Sequence, residues 1–127
     1  MERIKLKHID EEIIHEKLEN GLDVYLYSKE SITNNYATFT TKFGSIYNEF
    51  SPIGKTKLQK VPHGVAHFLE HKVFVQKDGP QPEEFFAKSG ALCNAYTTFK
   101  NTTYLFSGPN QLQDNVLFLL DYVQSPY

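Results

Sequence analysis

The spacing of apolar side chains predicts both strands and helices along this chain. Segments with the alternation or the Val, Thr, Tyr and Phe content of half-buried strands cover residues 11–18, 22–27, 35–43, 46–50, 92–99 and 102–107. Apolar residues at helical spacing predict helices over residues 64–76, over a short segment that ends at 89–90, and over a last segment that begins near residue 111. Turn-forming residues separate most of these segments.

The first two strands are joined by a dipeptide that favours a tight turn. Asn20-Gly21 tolerates the positive φ angles of a type I′ turn and therefore predicts a β-hairpin. On its second strand, Leu22, Val24 and Leu26 are spaced two apart, so we expect these three side chains to point inward.

Three residues mark the predicted ends of the helices. Pro62 lies near the start of the first helix, Gly90 suits a left-handed cap after the second, and Asn110 is placed to cap the third. Strands and helices in this order predict an α+β fold, with the helices packed on one face of a mostly antiparallel sheet.

The first predicted helix carries candidate chemistry, because residues 67–71 read His-Phe-Leu-Glu-His. On a helix, the two histidines are one turn plus about 40° apart, so both rings point to one side and can share a tetrahedral zinc ion. Glu70 lies on that side too and suits a general base acting on zinc-activated water. We predict His67 and His71 as metal ligands and Glu70 as the catalytic residue.

The alternative is a coincidental pattern on a solvated surface helix. From the composition, chance supplies about 0.015 occurrences of H-x-x-E-H in a chain of this length. Val65, Leu69 and Val73 also form an apolar stripe opposite the histidines, which predicts a buried helix. Buried imidazoles and a buried carboxylate need partners, and one metal ion can serve all three.

Composition and charge exclude several classes of function. A net charge of −2 and a pI near 6.2 leave no basic surface for nucleic acid. The single cysteine, Cys93, cannot form an internal disulfide and lies in an apolar strand pattern, so we interpret it as a core residue. With no signal peptide or membrane-spanning run in the sequence, we expect a cytoplasmic protein that does not contact membrane.

Three stretches together resemble a known family, the insulinase/pitrilysin (M16) metallopeptidases. They are His63–Phe74 (HGVAHFLEHKVF), Gly90–Thr98 (GALCNAYTT) and Thr103-Tyr104. Phe43-Gly44-Ser45, followed by Asn48-Glu49, is similar to the Gly-Ser strand end of the family, and the likeness covers nearly the whole chain. Lys72, where many members carry methionine, resembles the small bacterial processing-protease-type members.

The resemblance implies a zinc-dependent endopeptidase whose third zinc ligand is a glutamate roughly 75 residues beyond the second histidine, which is past Tyr127. We therefore expect residues 1–127 to be an incomplete N-terminal peptidase domain without the downstream ligand helix and the second homologous domain. Such a fragment would be inactive alone, with Zn²⁺ absent or weakly bound. The resemblance also implies a homo- or hetero-oligomer with another M16-like chain.

A second candidate site follows from the resemblance. In the family, the strand that corresponds to Asn94, Ala95 and Tyr96 lies at a sheet edge beside the zinc helix and pairs with an extended peptide substrate. We predict these three residues as substrate-binding. The alternative is an ordinary internal strand with Tyr96 as core filling.

Two other functions stay open from the sequence. A non-catalytic M16-like partner subunit or peptide-binding scaffold would keep the fold, although such subunits generally lose the inverted motif, which is intact here. A plain interaction domain with a coincidental motif is the other.

Overall fold

The computed structural model describes all 127 residues, which form two compact units, 1–33 and 34–127. The first unit is an antiparallel sheet in the order β1-β2-β3, with β1 Glu2–Leu6, β2 Glu11–Lys17 and β3 Asp23–Leu26. The predicted hairpin of β2 and β3 is confirmed. β1 was not predicted, because four of its five residues are exposed and its sequence shows no buried face.

The turn of this hairpin differs from the predicted type I′. Only Gly21 has a positive φ, 88°, whereas a type I′ turn requires positive φ at both central residues. Leu18 accepts a hydrogen bond from the Gly21 N–H at 2.9 Å and donates one to the Leu22 carbonyl at 2.8 Å, which closes a three-residue loop. Leu22 and Val24 are half-buried as expected, but Leu26 is 57% exposed.

The second unit contains the three helices and five strands. In chain order they are β4 Asn35–Thr41, β5 Glu49–Phe50, β6 Gln59–Lys60, α1 Val65–Val73, α2 Pro82–Lys88, β7 Leu92–Thr97, β8 Thr102–Gly108 and α3 Leu112–Gln124. The main sheet is antiparallel in the order β4-β8-β7, so β7 is an outer strand. The predicted α+β fold is confirmed. None of the helices combines the length and apolar character needed to cross a bilayer.

Alternate residues of the sheet build the core of this unit. The register aligns Phe39 of β4 with Tyr104 of β8, and Tyr104 with Ala95 of β7, so these three side chains form one row on the inner face. The helices cover that face with apolar side chains, mainly Val73, Phe86, Leu119 and Tyr122. The core is therefore largely aromatic, with Phe86 stacked on Phe106 at 5.2 Å between ring centroids.

Helix α1 packs through a narrower face than its sequence predicts. Its buried residues are Ala66, Glu70 and Val73, whereas Leu69 is 43% exposed and Phe68 is 63% exposed. The prediction that Leu69 belongs to a buried stripe is wrong. Because α1 lies along the outer strand β7, only one line of side chains at i, i+4 and i+7 meets the sheet.

Both ends of α1 have local causes. Gly64, at φ 90°, precedes the helix, and its carbonyl accepts the first helical hydrogen bond from Phe68 at 2.9 Å. The helix ends at Val73 instead of the predicted residue 76. Gln76 leaves the helical ladder because its N–H donates to the Gln81 side-chain oxygen at 3.1 Å, while Gln81 Nε2 donates back to the Gln76 carbonyl at 3.2 Å.

The predicted strand over residues 46–50 is wrong except at its last two residues. The chain turns at Gly44, whose carbonyl accepts the Tyr47 N–H at 3.0 Å. Ser45 N–H then donates to the Thr98 carbonyl at 3.0 Å, so this segment crosses the turn between β7 and β8. Only glycine fits there, because a Cβ on residue 44 would lie 2.6 Å from the backbone of residues 100 and 101.

The predicted N-cap role of Asn110 is also wrong. Gln111 precedes α3 with φ 51°, and no side chain caps the helix. The Asn110 amide instead donates to the Ser89 carbonyl at 3.3 Å, while its own carbonyl accepts from the fully buried Asn115 at 3.1 Å. Asn110 therefore joins the start of α3 to the end of α2.

The core contains one buried hydroxyl without a hydrogen-bond partner, that of Tyr122. We expect Tyr122→Phe to raise the free energy of unfolding by roughly 1 kcal/mol, because an unsatisfied polar group is removed and the ring is kept. Tyr122→Ala should lower it by roughly 3–5 kcal/mol by opening a cavity. Urea denaturation of the chain measures both values. A Phe variant as unstable as the Ala variant would show that the hydroxyl has a stabilising partner.

Candidate metal centre and adjoining groove

His67 and His71 approach each other on one side of α1. Their Nε2 atoms are 3.1 Å apart, and the ring planes are tilted by 49°. Two nitrogens bound to one tetrahedral zinc, with bonds of about 2.05 Å, would be about 3.3 Å apart. The imidazoles are both exposed and thus fit a shared ion with a shift of about 0.2 Å.

Glu70 completes the cluster from the buried face of the same helix. One ligand atom from each of His67, Glu70 and His71 can be chosen so that all three lie within 4.8 Å of one another. The structure thus brings the three predicted residues together. Their burial differs, because Glu70 is 7% exposed while both histidines are exposed. The carboxylate therefore faces the sheet and the imidazoles face outward.

The Glu70 carboxylate has a hydrogen-bond donor on β7. Thr97 Oγ1 donates to Glu70 Oε2 at 2.5 Å. Thr97 Oγ1 also lies 3.4 Å from the hydroxyl of the buried Thr102, which donates to the Phe43 carbonyl at 2.8 Å. Thr97 shares the period-two face of β7 with Ala95 and lies in the stretch Gly90–Thr98 that carries the family resemblance, but nothing in the sequence predicted its contact with Glu70.

Two titratable groups of the main sheet, the Tyr104 hydroxyl and the Cys93 thiol, are protonated at neutral pH. Burial, followed by the negative charge of Glu70, raises the pKa of Tyr104 to about 12. Burial, followed by the negative charge of Glu83, raises the pKa of Cys93 to about 11. Because a thiolate and not a thiol is the nucleophile, Cys93 behaves as the core residue that its strand pattern predicted.

Asn94, Ala95 and Tyr96 lie on the outer strand β7, which pairs with β8 on one side only. The Asn94 side-chain oxygen accepts a hydrogen bond from the Ala95 N–H at 2.8 Å, so this N–H points to the open edge. Tyr96 is 49% exposed. The alternative of an internal strand with Tyr96 as core filling is therefore wrong.

An open groove of about 450 Å³ connects the cluster with the edge of β7. Its lining comes from the segment before α1, from α1 and from β7: Ser45, Gly64, His67, Glu70, Ala95, Tyr96 and Thr97. The groove thus joins predicted metal, catalytic and substrate-binding residues. Ser45 is an addition that the sequence indicated only as part of a resemblance at a strand end.

Comparisons with known proteins show what this chain is similar to. The zinc protease YmfH of Bacillus subtilis, named as uncharacterized, is 48% identical over 124 residues, which is 98% of this chain and 29% of that protein. AlbF of Bacillus subtilis, named as a candidate zinc protease, is 42% identical over 62 residues, which is 48% of this chain and 14% of that protein.

A solved structure shares the fold. It is described as a candidate M16-like peptidase from Alicyclobacillus acidocaldarius, and it superimposes with a TM-score of 0.86 at 38% identity. The match covers 98% of this chain and 28% of that one. This chain therefore spans less than a third of the relatives that it matches over nearly all its length.

The family model described as "Insulinase (Peptidase family M16)" matches residues 53–127, which include α1 and the main part of the groove. Because this family model matches more than half of the chain and the similar proteins are named as zinc proteases, the chain belongs to the insulinase family of peptidases, M16.

Proposed function

We propose that this chain carries the catalytic half of the active site of a zinc-dependent endopeptidase that hydrolyses peptides. The observation that supports this most directly is the 3.1 Å approach of the His67 and His71 Nε2 atoms with the Glu70 carboxylate beside them. The open groove next to this cluster supports a substrate larger than a single amino acid.

His67 and His71 are the proposed protein ligands, each through Nε2. Zinc, when bound, supplies a Lewis acid that polarises a peptide carbonyl and makes water nucleophilic near neutral pH. To bind it, both imidazoles must be neutral and carry their proton on Nδ1, so that the Nε2 lone pairs point at the shared position. The 3.1 Å distance between these nitrogens suits that arrangement.

A catalytic zinc site usually has three protein ligands and one open position. Among the 127 described residues, the metal-binding cluster has only His67, Glu70 and His71 as members. We propose that Glu70 is kept for proton transfer and that residues outside this chain, in a longer protein, supply the third ligand. The greater length of the relatives supports this assignment.

Glu70 is the proposed general base. Its carboxylate takes a proton from the attacking water and later gives it to the nitrogen of the leaving amine. Oε2 accepts the Thr97 hydroxyl, and Oε1 is the proposed oxygen for this proton. Burial of Glu70 excludes bulk water from its inner side and strengthens that hydrogen bond.

The edge of β7 is the proposed substrate platform. Extended peptides bind open sheet edges through main-chain hydrogen bonds, which depend little on sequence. The Ala95 N–H faces this edge, and the groove beside it leads to His67 and Glu70. A peptide paired with β7 would therefore present its backbone carbonyls to the cluster.

We expect the longer protein to bind one zinc ion per site and to lose it when either ligand is changed. His67→Gln and His71→Gln should each weaken zinc binding by at least about tenfold, because one of the coordinating nitrogens is removed. His63→Gln is the matched control, since His63 lies outside the cluster. Metal analysis after dialysis against a weak chelator provides the measurement. Full zinc retention in a variant with both ligands changed would refute the assignment.

Glu70→Gln tests the base separately from the metal. The variant of the longer protein should keep its zinc content and lose peptide turnover by about 100-fold or more, because an amide cannot accept the proton. Cleavage of an internally quenched peptide gives the rate. Turnover at the parental rate would exclude Glu70 as the base, while simultaneous loss of zinc would indicate a ligand role.

Strand addition predicts a periodic effect of substrate backbone changes. In a peptide series with one N-methyl amide each, methylation should raise KM by about tenfold at every second position near the scissile bond, because alternate N–H groups pair with the edge strand. Intervening positions should change little. A KM that is independent of position, or that varies without this alternation, would contradict binding along β7.

A further inference from the structure

We infer that Thr97 is the positioning residue for the Glu70 base, an inference that rests on the proposed peptidase function. The Thr97 hydroxyl donates to Glu70 Oε2 at 2.5 Å, and both side chains line the groove. They come from different elements, β7 and α1, and lie 27 residues apart in sequence. The hydrogen bond therefore fixes the carboxylate relative to the sheet.

A glutamate side chain has three rotatable bonds, and its terminal torsion is broad. A charge-assisted hydrogen bond to one oxygen selects one orientation of the carboxylate plane. With Oε2 held by Thr97, Oε1 is left for the water. The same contact compensates for placing a carboxylate that is only 7% exposed against the sheet.

The Thr97 proton goes to Glu70 because the carboxylate is the stronger acceptor and Glu70 Oε2 is closer than Thr102 Oγ1, at 2.5 Å against 3.4 Å. Thr102 Oγ1 lies 3.4 Å from Thr97 Oγ1, but its own proton is used in the 2.8 Å hydrogen bond to the Phe43 carbonyl. Thr102 therefore offers no donor to Thr97 or Glu70. As a β-branched residue in a paired strand, Thr97 also has few χ1 choices, which keeps its hydroxyl in place.

Thr97 also lies on the strand that carries the proposed substrate platform. Ala95 and Thr97 are two residues apart on β7 and both line the groove. Strand β7 would hold the peptide backbone at Ala95 and the Glu70 carboxylate through Thr97. The distance between peptide and carboxylate therefore does not depend on a flexible loop. A displacement of β7 would move substrate and base together.

Three substitutions in the longer protein test this role. Thr97→Val keeps the shape and removes the hydroxyl, Thr97→Ala removes it without a steric demand, and Thr97→Ser restores it. We expect kcat to fall by about 10- to 100-fold in the Val and Ala variants, with KM within about twofold and zinc content unchanged. Thr97→Ser should recover kcat to within about threefold of the parent.

Thr40→Val is the matched control, because Thr40 forms a similar hydroxyl pair with Thr103, at 3.0 Å, in the same sheet but outside the groove lining. Its kcat should equal that of the parent. Crystal structures of the metal-free parent and of the Thr97 variants give a readout independent of activity: the Glu70 carboxylate should turn in the Val and Ala variants and keep its place in the Ser variant.

The outcomes separate this inference from the proposed function. Parental kcat in a folded Val or Ala variant, or an unmoved Glu70 in its crystal structure, overturns the role of Thr97 alone. An inactive zinc-loaded parent, or an active Glu70→Gln variant, overturns the peptidase assignment itself. A fall in kcat that Thr97→Ser does not recover would also overturn the inference, because a merely structural role would give that result.

Discussion

A carboxylate buried between a helix and an outer strand is the constraint on which this site depends. An ionised group removed from water is strongly unfavourable unless it is hydrogen-bonded or paired. Glu70 meets this requirement through Thr97, while Ala66 and Val73 on the same face of α1 pack beside it. These contacts fix the rotation of α1 about its own axis. His67 and His71 are thereby turned to the flank of the helix, beside the groove.

The inner face of the main sheet changes its chemistry along the strands. Phe39, Tyr104 and Ala95 form an apolar row, and the next inward row contains the hydroxyls of Thr102 and Thr97. The aromatic core ends where the polar site begins. The high pKa of Tyr104 fits this border, because its ring belongs to the core while the charge of Glu70 acts on its hydroxyl. The side chains that form the core and those that contact the Glu70 cluster thus lie in successive rows of one sheet.

Local patterns in the sequence were sufficient to predict the main architecture and the cluster of His67, Glu70 and His71. The spacing of His67, Glu70 and His71 predicted their convergence because a helix has a fixed geometry, and strand alternation predicted the sheet. Leu69 could not be assigned correctly, since its exposure depends on which strand α1 covers. The strand pattern placed Thr97 beside Ala95, but its contact with Glu70 joins residues 27 apart, which no local pattern contains.

The predictions for Asn110 and for the strand after Gly44 were wrong for the same reason, a contact between residues far apart in sequence. Asn110 is a residue type that favours an N-cap, but its side chain bonds to Ser89 at the end of α2. Gly44 turns the chain because the backbone of a distant hairpin passes it. Each is a tertiary contact that overrides a local preference. The family resemblance carried information that spacing lacked, because it implied that Asn94, Ala95 and Tyr96 lie on an edge strand, which local spacing does not show. The structure confirmed that position for Asn94, Ala95 and Tyr96.

The bond between the Asn94 carboxamide and the Ala95 N–H has a consequence for how the open strand behaves in solution. An uncovered edge recruits the strands of other molecules, and a side chain that occupies one of its donors makes such association less favourable. A peptide that docks there exchanges one hydrogen bond for another, so the net gain at this point is small. Affinity for such a peptide must then come from the neighbouring positions of β7.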